Sequence, residues 1–189
     1  MKKICVFASG NGSNAEKIIR YFRDRHDACV ALVVTNNPRA GVIEKARNLG
    51  IPVYCCSMEE LKSSEGLCVR LSHEKMDLLV LAGFLRLIPP ALLKAFPDRI
   101  INIHPALLPK FGGKGMHGIH VHQAVIDAGE KESGITIHRV NEHYDEGAIL
   151  LQKTCPVLPG DSAEDLARRV LDLEHRYYPS LIGTLVGST

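Results

Sequence analysis

Asn102 and His104 stand two residues apart in "RIINIHPALLP" (Arg99–Pro109), an apolar stretch that reads as a strand and breaks at Pro105. Positions i and i+2 of a strand share a face, so an amide and an imidazole converge on one spot. An amide N–H and an imidazolium aimed at one point could stabilise an oxyanion. A histidine can also move the proton that acyl transfer between amines requires. The plain alternative is a strand-end pair satisfied by loop carbonyls. The Pro and Gly punctuation of "PALLPKFGG" favours a fixed loop beside the pair over a continuing strand. Asp145, in "HYDEGAILL", falls in a hairpin turn just before a strand. A carboxylate there could orient His104 or hold a water that relays a proton; a solvated turn acid is the alternative.

A second candidate is the turn "SGNGSNAEKI", where Gly10, Gly12, Ser13 and Asn14 join a strand to a helix. Glycines let the backbone approach a ligand, and the first helical N–H groups form an anion site reinforced by the helix dipole. The turn has neither the GK[ST] of a Walker A loop nor the GxGxxG spacing of a dinucleotide site. A phosphate monoester is the sharper reading, and a tight βα turn with Asn14 as N-cap is the bland one. His117, His120 and His122 form an HxxHxH cluster in "FGGKGMHGIHVHQAV". No carboxylate is spaced to join them and no helical Hx₃H pattern exists, so a loop or helix-start role outranks a metal site. His120 and His122 are expected to border the cleft.

The elements that must position these residues alternate along the first half. "KKICVFAS", "ACVALVVTN", "IPVYCC", "DLLVLAG" and "IINIH" read as strands, with helices over "NAEKIIRYFRD", "GVIEKARNLG" and Met58 to Lys75 between them. Such alternation implies right-handed βαβ units, a parallel sheet, and ligands outside the carboxyl ends of its strands. In the second half "HVHQAVIDAG" is a short helix, and "GITIHRVN" and "AILLQKTCPV" are two antiparallel strands. A last helix begins near "GDSAED", where Asp161 or Ser162 can cap and Glu164 or Asp165 can close the box. Leu166, Val170, Leu173 and Tyr177 would be its apolar stripe, and Pro179 should bend or end it.

The chain has 189 residues, 46% hydrophobic and 23% charged, which suits one compact domain that needs no disulfide staples. A net charge of +2 excludes a global field for nucleic acid or a membrane surface. No apolar run approaches the ~20 residues that span a bilayer. The opening "MKKICVFASG" reads as a first strand rather than a signal peptide, which predicts a cytoplasmic location. Cys5, Cys29, Cys55, Cys56, Cys68 and Cys155 include no CxxC pair; buried free thiols are expected, with Cys5, Cys29, Cys55 and Cys155 in strand-like apolar contexts.

Taken together and in order, "VFASGNGSN", "LAGFLRLI", "INIHPALLPKF", "HYDEGAILLQ" and "LEHRYYP" strongly resemble the phosphoribosylglycinamide formyltransferase family. These are the folate-dependent glycinamide ribonucleotide transformylases of purine biosynthesis, and the match spans essentially the whole chain. The resemblance implies an α/β fold: a Rossmann-like open, mostly parallel sheet with helices on both faces and a C-terminal antiparallel hairpin plus helix. It implies one domain over 1–189, with a phosphate-binding half at about 1–100 and a catalytic and folate-binding half at about 101–189. Asn102, His104 and Asp145 match the family's catalytic trio. Asn11, Gly12, Ser13 and Asn14 match its substrate-phosphate loop. Glu174 matches the acid that bonds the ribose hydroxyls; its bland reading is a water-exposed helix carboxylate. Arg86, Leu87 and Ile88 match the segment gripping the folate pterin; by themselves the two apolar residues would be core.

The implied reaction is direct attack of the glycinamide amine on the formyl carbon of 10-formyltetrahydrofolate, a co-substrate. Asn102 and protonated His104 would stabilise the tetrahedral oxyanion, and Asp145, through water, would help carry the proton, with no metal. The implied partners are these two small molecules, with no nucleic acid or membrane, in a monomer or homodimer. The rivals are a formyltetrahydrofolate hydrolase or another folate formyltransferase, and a non-catalytic phosphate-ligand binding module. The hydrolase would carry an added N-terminal regulatory domain and the methionyl-tRNA enzyme an extra C-terminal one, neither expected here.

Overall fold

The computed structural model describes residues 1–187. Strands β1 (Lys2–Phe7), β2 (Ala28–Thr35), β3 (Val53–Cys55), β4 (Leu78–Leu81) and β5 (Ile100–His104) pair in parallel. Strands β6 (Glu132–Arg139) and β7 (Ile149–Pro156) extend the sheet antiparallel beyond β5. The order is β3-β2-β1-β4-β5-β6-β7. The chain therefore leaves β1 toward one edge and returns through β4 toward the other. The crevice at the carboxyl ends of β1 and β4 is the switch point where such sheets bind ligands.

Alternation along β1 sorts its side chains between two apolar layers. Ile4 and Val6 join a core with Ile18, Ile19 and Phe22 of α1 (Ser13–Phe22), Val42 and Ala46 of α2 (Val42–Asn48), and Val125 of α6 (Ile119–Asp127). The same layer takes Leu166, Val170, Tyr178 and Ile182 of α7 (Ala163–Gly187). Cys5 and Phe7 face the other way, onto Leu61 of α3 (Met58–Lys62), Leu67 and Leu71 of α4 (Leu67–His73), and Leu92 of α5 (Pro90–Ala95).

Several expectations need correction. The helix expected over Met58–Lys75 is two short helices: Ser57 and Glu60 close a capping box on α3, and Ser63 ends it in extended backbone. Asn14 is not the N-cap of α1; that position is Gly12, at φ 78°. A Cβ on Gly12 would lie 2.5 Å from the Val42 side chain, so only glycine fits this close approach. Helix α7 starts as expected, with Ser162 and Asp165 exchanging the capping-box bonds. Its buried line, however, runs Leu166, Val170, Glu174, Tyr178, Ile182 and Val186, leaving Leu173 and Tyr177 half-buried. Pro179 does not end the helix, which continues to Gly187; packing of its buried residues outweighs one lost helical bond. All six cysteines are free thiols, but Cys55 is exposed and Cys29 only half-buried rather than core.

Tyr178 ties α7 to the sheet beneath the crevice. Its fully buried hydroxyl donates to the carbonyls of Leu81, at 2.8 Å, and Ile101, at 3.3 Å. Tyr178→Phe should therefore lower the free energy of unfolding by about 1–2 kcal/mol. Urea denaturation of the two proteins measures this; equal midpoints and slopes would contradict the assigned bond.

Candidate active site

Residues 105–118 leave the end of β5 and cover part of a cleft of about 660 Å³. Asn102, His104 and Asp145 all line it, as do Asn14, Arg86, Leu87, Ile88 and Glu174. Asn11 is exposed and Gly12 and Ser13 half-buried in the turn leading to it.

The β5–β6 register builds the cleft floor. Asn102 lies directly opposite His138, and His104 opposite Thr136. The Thr136 hydroxyl accepts from Leu108 N–H at 3.0 Å and donates to Ala106 O at 2.7 Å, bracing the chain after His104. Asp145 reaches the same floor from the β6–β7 turn, in left-handed backbone at φ 57°. Gly147 lets that turn close: a Cβ there would lie 1.7 Å from Arg139 O.

The Asp145 carboxylate stands among four groups. Oδ2 accepts from Gly113 N–H at 3.0 Å and lies 3.5 Å from His104 Nδ1. Oδ1 lies 3.5 Å from both Asn102 Nδ2 and His138 Nε2. Asn102 Nδ2 is also 3.2 Å from His138 Nε2. His138 Nδ1–H donates to Arg139 O at 2.8 Å, which fixes the ring with its other nitrogen toward Asn102 and Asp145. Burial alone would raise the Asp145 pKa; the His138 bond, the His104 charge and the Gly113 N–H outweigh it and hold the carboxyl below its ordinary range.

His104 is 3% exposed, and its Nε2 donates to Phe111 O at 2.7 Å. Burial lowers its pKa, and the opposing pull of Asp145 and the Phe111 carbonyl does not restore it. The free protein therefore favours neutral His104 at pH 7. His138 went unnoticed in the sequence although it follows Thr136 in period two; only strand register puts it opposite Asn102.

The cleft walls have different chemistry. On one side Asn14 Nδ2 donates to Glu174 Oε2 at 2.6 Å, joining α1 to α7. Glu174 is buried, not water-exposed, and burial pushes its pKa up to about 7 against the Asn14 bond. On the other side Ile88 is buried while Arg86 and Leu87 are exposed, so Leu87 is cleft wall rather than core. Ser9 steadies this segment: its hydroxyl accepts from Leu85 N–H at 3.1 Å and donates to Asn36 Oδ1 at 2.6 Å. His117 and His122 line the cleft, whereas His120 is not among its lining residues. Among the described residues no three or more His, Cys, Asp or Glu side chains are grouped to hold a metal ion. Nor is any described helix long and apolar enough to cross a membrane.

A polar cluster at the carboxyl edge of a doubly wound sheet defines an α/β protein with its ligand cleft at the switch point. Comparison with known proteins makes the class specific. Residues 2–182 match the formyl transferase family model, and the chain belongs to that family. It is 46% identical over 197 residues to the chloroplastic phosphoribosylglycinamide formyltransferase of Arabidopsis thaliana, covering 97% of this chain and 65% of the plant protein. The Vigna unguiculata counterpart is covered over 61% of its length, so the chain spans less than two thirds of these plant relatives. The Bacillus subtilis phosphoribosylglycinamide formyltransferase is 40% identical, over 99% of this chain and 96% of that protein. The crystal structure of glycinamide ribonucleotide transformylase 1 from Symbiobacterium toebii has a TM-score of 0.90 at 38% identity, covering 100% of this chain and 89% of the other.

The Glu174 environment has a measurable consequence. Its folded pKa of about 7 exceeds the ordinary 4.5, so the folded protein holds an extra proton between those values. The stability this group contributes is complete below about 4.5 and falls as pH rises through about 7, by roughly 3 kcal/mol. Glu174→Gln should flatten that dependence and make the variant more stable than the parent at pH 8. Urea titrations at pH 4.5, 6 and 8 test this; an unchanged pH dependence would contradict it.

Proposed function

We propose that the chain transfers the formyl group of 10-formyltetrahydrofolate to the amine of glycinamide ribonucleotide, a step of purine biosynthesis, and that it acts as one domain in the cytoplasm. The observation that carries this reading is the Asn102–His104–His138–Asp145 cluster, set between a polar wall at Asn14 and Glu174 and an apolar wall at Leu87 and Ile88. The matched relatives bear the name of this activity over nearly the whole of this chain.

The ribonucleotide phosphate binds at Asn11–Asn14, where the N–H groups of the first turn of α1 lack intrahelical acceptors. Glu174 takes the ribose hydroxyls; their donation compensates the burial of its charge. The folate ring lies along Arg86–Ile88. Attack of the amine on the formyl carbon forms the C–N bond and moves the carbonyl pair onto oxygen. Asn102 Nδ2 and His104 Nε2–H are the donors for that oxyanion, and His104 Nε2–H must leave Phe111 O to serve. As negative charge develops on the oxyanion, His104 Nδ1 takes up a proton from solvent, held beside the Asp145 carboxylate, and gives it back when the oxyanion collapses. Asp145, through a water, relays the amine proton to the folate nitrogen; the oxyanion pair returns to carbon as the C=O re-forms, and the bond from the formyl carbon to that nitrogen breaks.

Purified protein is mixed with 10-formyltetrahydrofolate, with and without glycinamide ribonucleotide, and folate deformylation is followed. Turnover should require the ribonucleotide. Removing an oxyanion donor should lower kcat by ~10²–10³ in Asn102→Ala or His104→Ala, with ribonucleotide affinity near normal. Ribonucleotide-independent turnover would indicate a hydrolase, and no turnover would indicate a binding module; either overturns the proposal.

A further inference from the structure

His122 has no part in the reaction as derived above, yet its placement is that of a ligand-binding group. It sits in the first half of α6, between Val121 and Val125 on the helix's buried side. The side chain lines the same cleft as His104, and the residue is only 5% exposed. Its Nδ1 is buried without any hydrogen-bond partner among the described residues. A buried imidazole nitrogen left unpaired carries a desolvation penalty, and such exceptions need an account. The cleft wall supplies one, because a bound molecule can complete the bond.

The charged and titratable groups around this cavity narrow the ligand group. His104 comes from β5, His138 from β6, Asp145, His143 and Tyr144 from the β6–β7 turn, Glu174 from α7, Arg86 from the segment after β4, and Lys114 and His117 from the loop before α6. Burial, and secondarily the charge on His104, disfavour protonation of His122. A neutral imidazole with its proton on Nε2 presents Nδ1 as an uncharged acceptor. Two reacting groups must meet near His104. The formyl carbonyl is an acceptor and is matched by donors on Asn102 and His104. The amine is a donor, and Asp145 is already engaged with Gly113 N–H and the two histidines. A carboxylate facing the amine would also favour the ammonium form, which cannot attack. A neutral nitrogen holds the amine without that penalty.

Resting on the function proposed above, we infer that His122 is a substrate-contacting residue, its Nδ1 accepting the hydrogen bond of the attacking amine. It orients the amine's N–H so that the lone pair faces the formyl carbon.

Two substitutions and one spectrum test this on the full chain. In His122→Phe the ring remains and the acceptor is lost; in His122→Asn the amide oxygen replaces Nδ1 at nearly the same distance from the backbone. His122→Phe should lose ~10-fold or more in kcat/KM for the ribonucleotide, with KM for the folate little changed, and His122→Asn should retain activity within ~3-fold. The ¹⁵Nδ1 resonance of His122 in the parent protein should shift when glycinamide ribonucleotide is added without folate. A folded His122→Phe protein with parental kcat/KM, or a resonance that does not move at saturating ribonucleotide, overturns the inference while leaving the function standing. If His122→Phe does not fold, the resonance and the Asn variant decide: a loss in Asn of more than ~10-fold overturns it too. Absence of ribonucleotide-dependent turnover in the parent protein overturns the function itself, and this inference with it.

Discussion

The Asp145 carboxylate is held half-buried on the cleft floor, within 3.5 Å of two imidazoles, an amide and a backbone N–H. A buried carboxylate is tolerated only when such partners stabilise its charge. Here the compensation comes from His104, His138, Asn102 and the Gly113 N–H, and the proposed reaction draws on two of them, Asn102 and His104. Its negative charge favours a proton on His104 against the burial that opposes one. The balance leaves an imidazole neutral at rest and ready to charge when an oxyanion forms nearby.

The rest of the scaffold keeps that carboxylate and its neighbours in place. Antiparallel pairing of β5 with β6 puts Asn102 and His138 side by side and gives Thr136 to the loop after His104. The left-handed residue at Asp145 and the tight approach at Gly147 turn the β6–β7 connection back over the floor. On the opposite wall, α7 is pinned to β4 and β5 through Tyr178, one turn away from Glu174. The two walls thus differ in polarity because they come from different elements: a buried Asn–Glu pair between helices, and an apolar segment leaving β4.

Features legible in the sequence were those with local periodicity. The five parallel strands, the Gly-rich turn and the shared face of Asn102 and His104 follow from spacings of two to four residues. His138 was missed because its partner lies 36 residues away and only strand register connects them. Glu174 is singled out by the family resemblance alone; its own segment leaves a solvated helix acid open, because Asn14, 160 residues distant, gives no local sign of the burial they share. The stripe of α7 was misplaced for the same reason: a carboxylate on the buried face does not count as apolar, so Tyr177 was chosen over Tyr178. The break between α3 and α4 falls where Ser63 turns extended and Gly66 passes against the Glu60 carbonyl, 2.7 Å from where a Cβ would sit, and that close approach leaves no periodic sign in the sequence.

The central claim is that Asp145 raises the proton affinity of His104 in a site whose burial lowers it. The direct measurement is an NMR titration of the His104 ring in the parent protein and in Asp145→Asn. With the carboxylate charge removed and burial unchanged, the His104 pKa should fall further below its ordinary value. A His104 pKa that is unchanged or higher in Asp145→Asn would contradict the account.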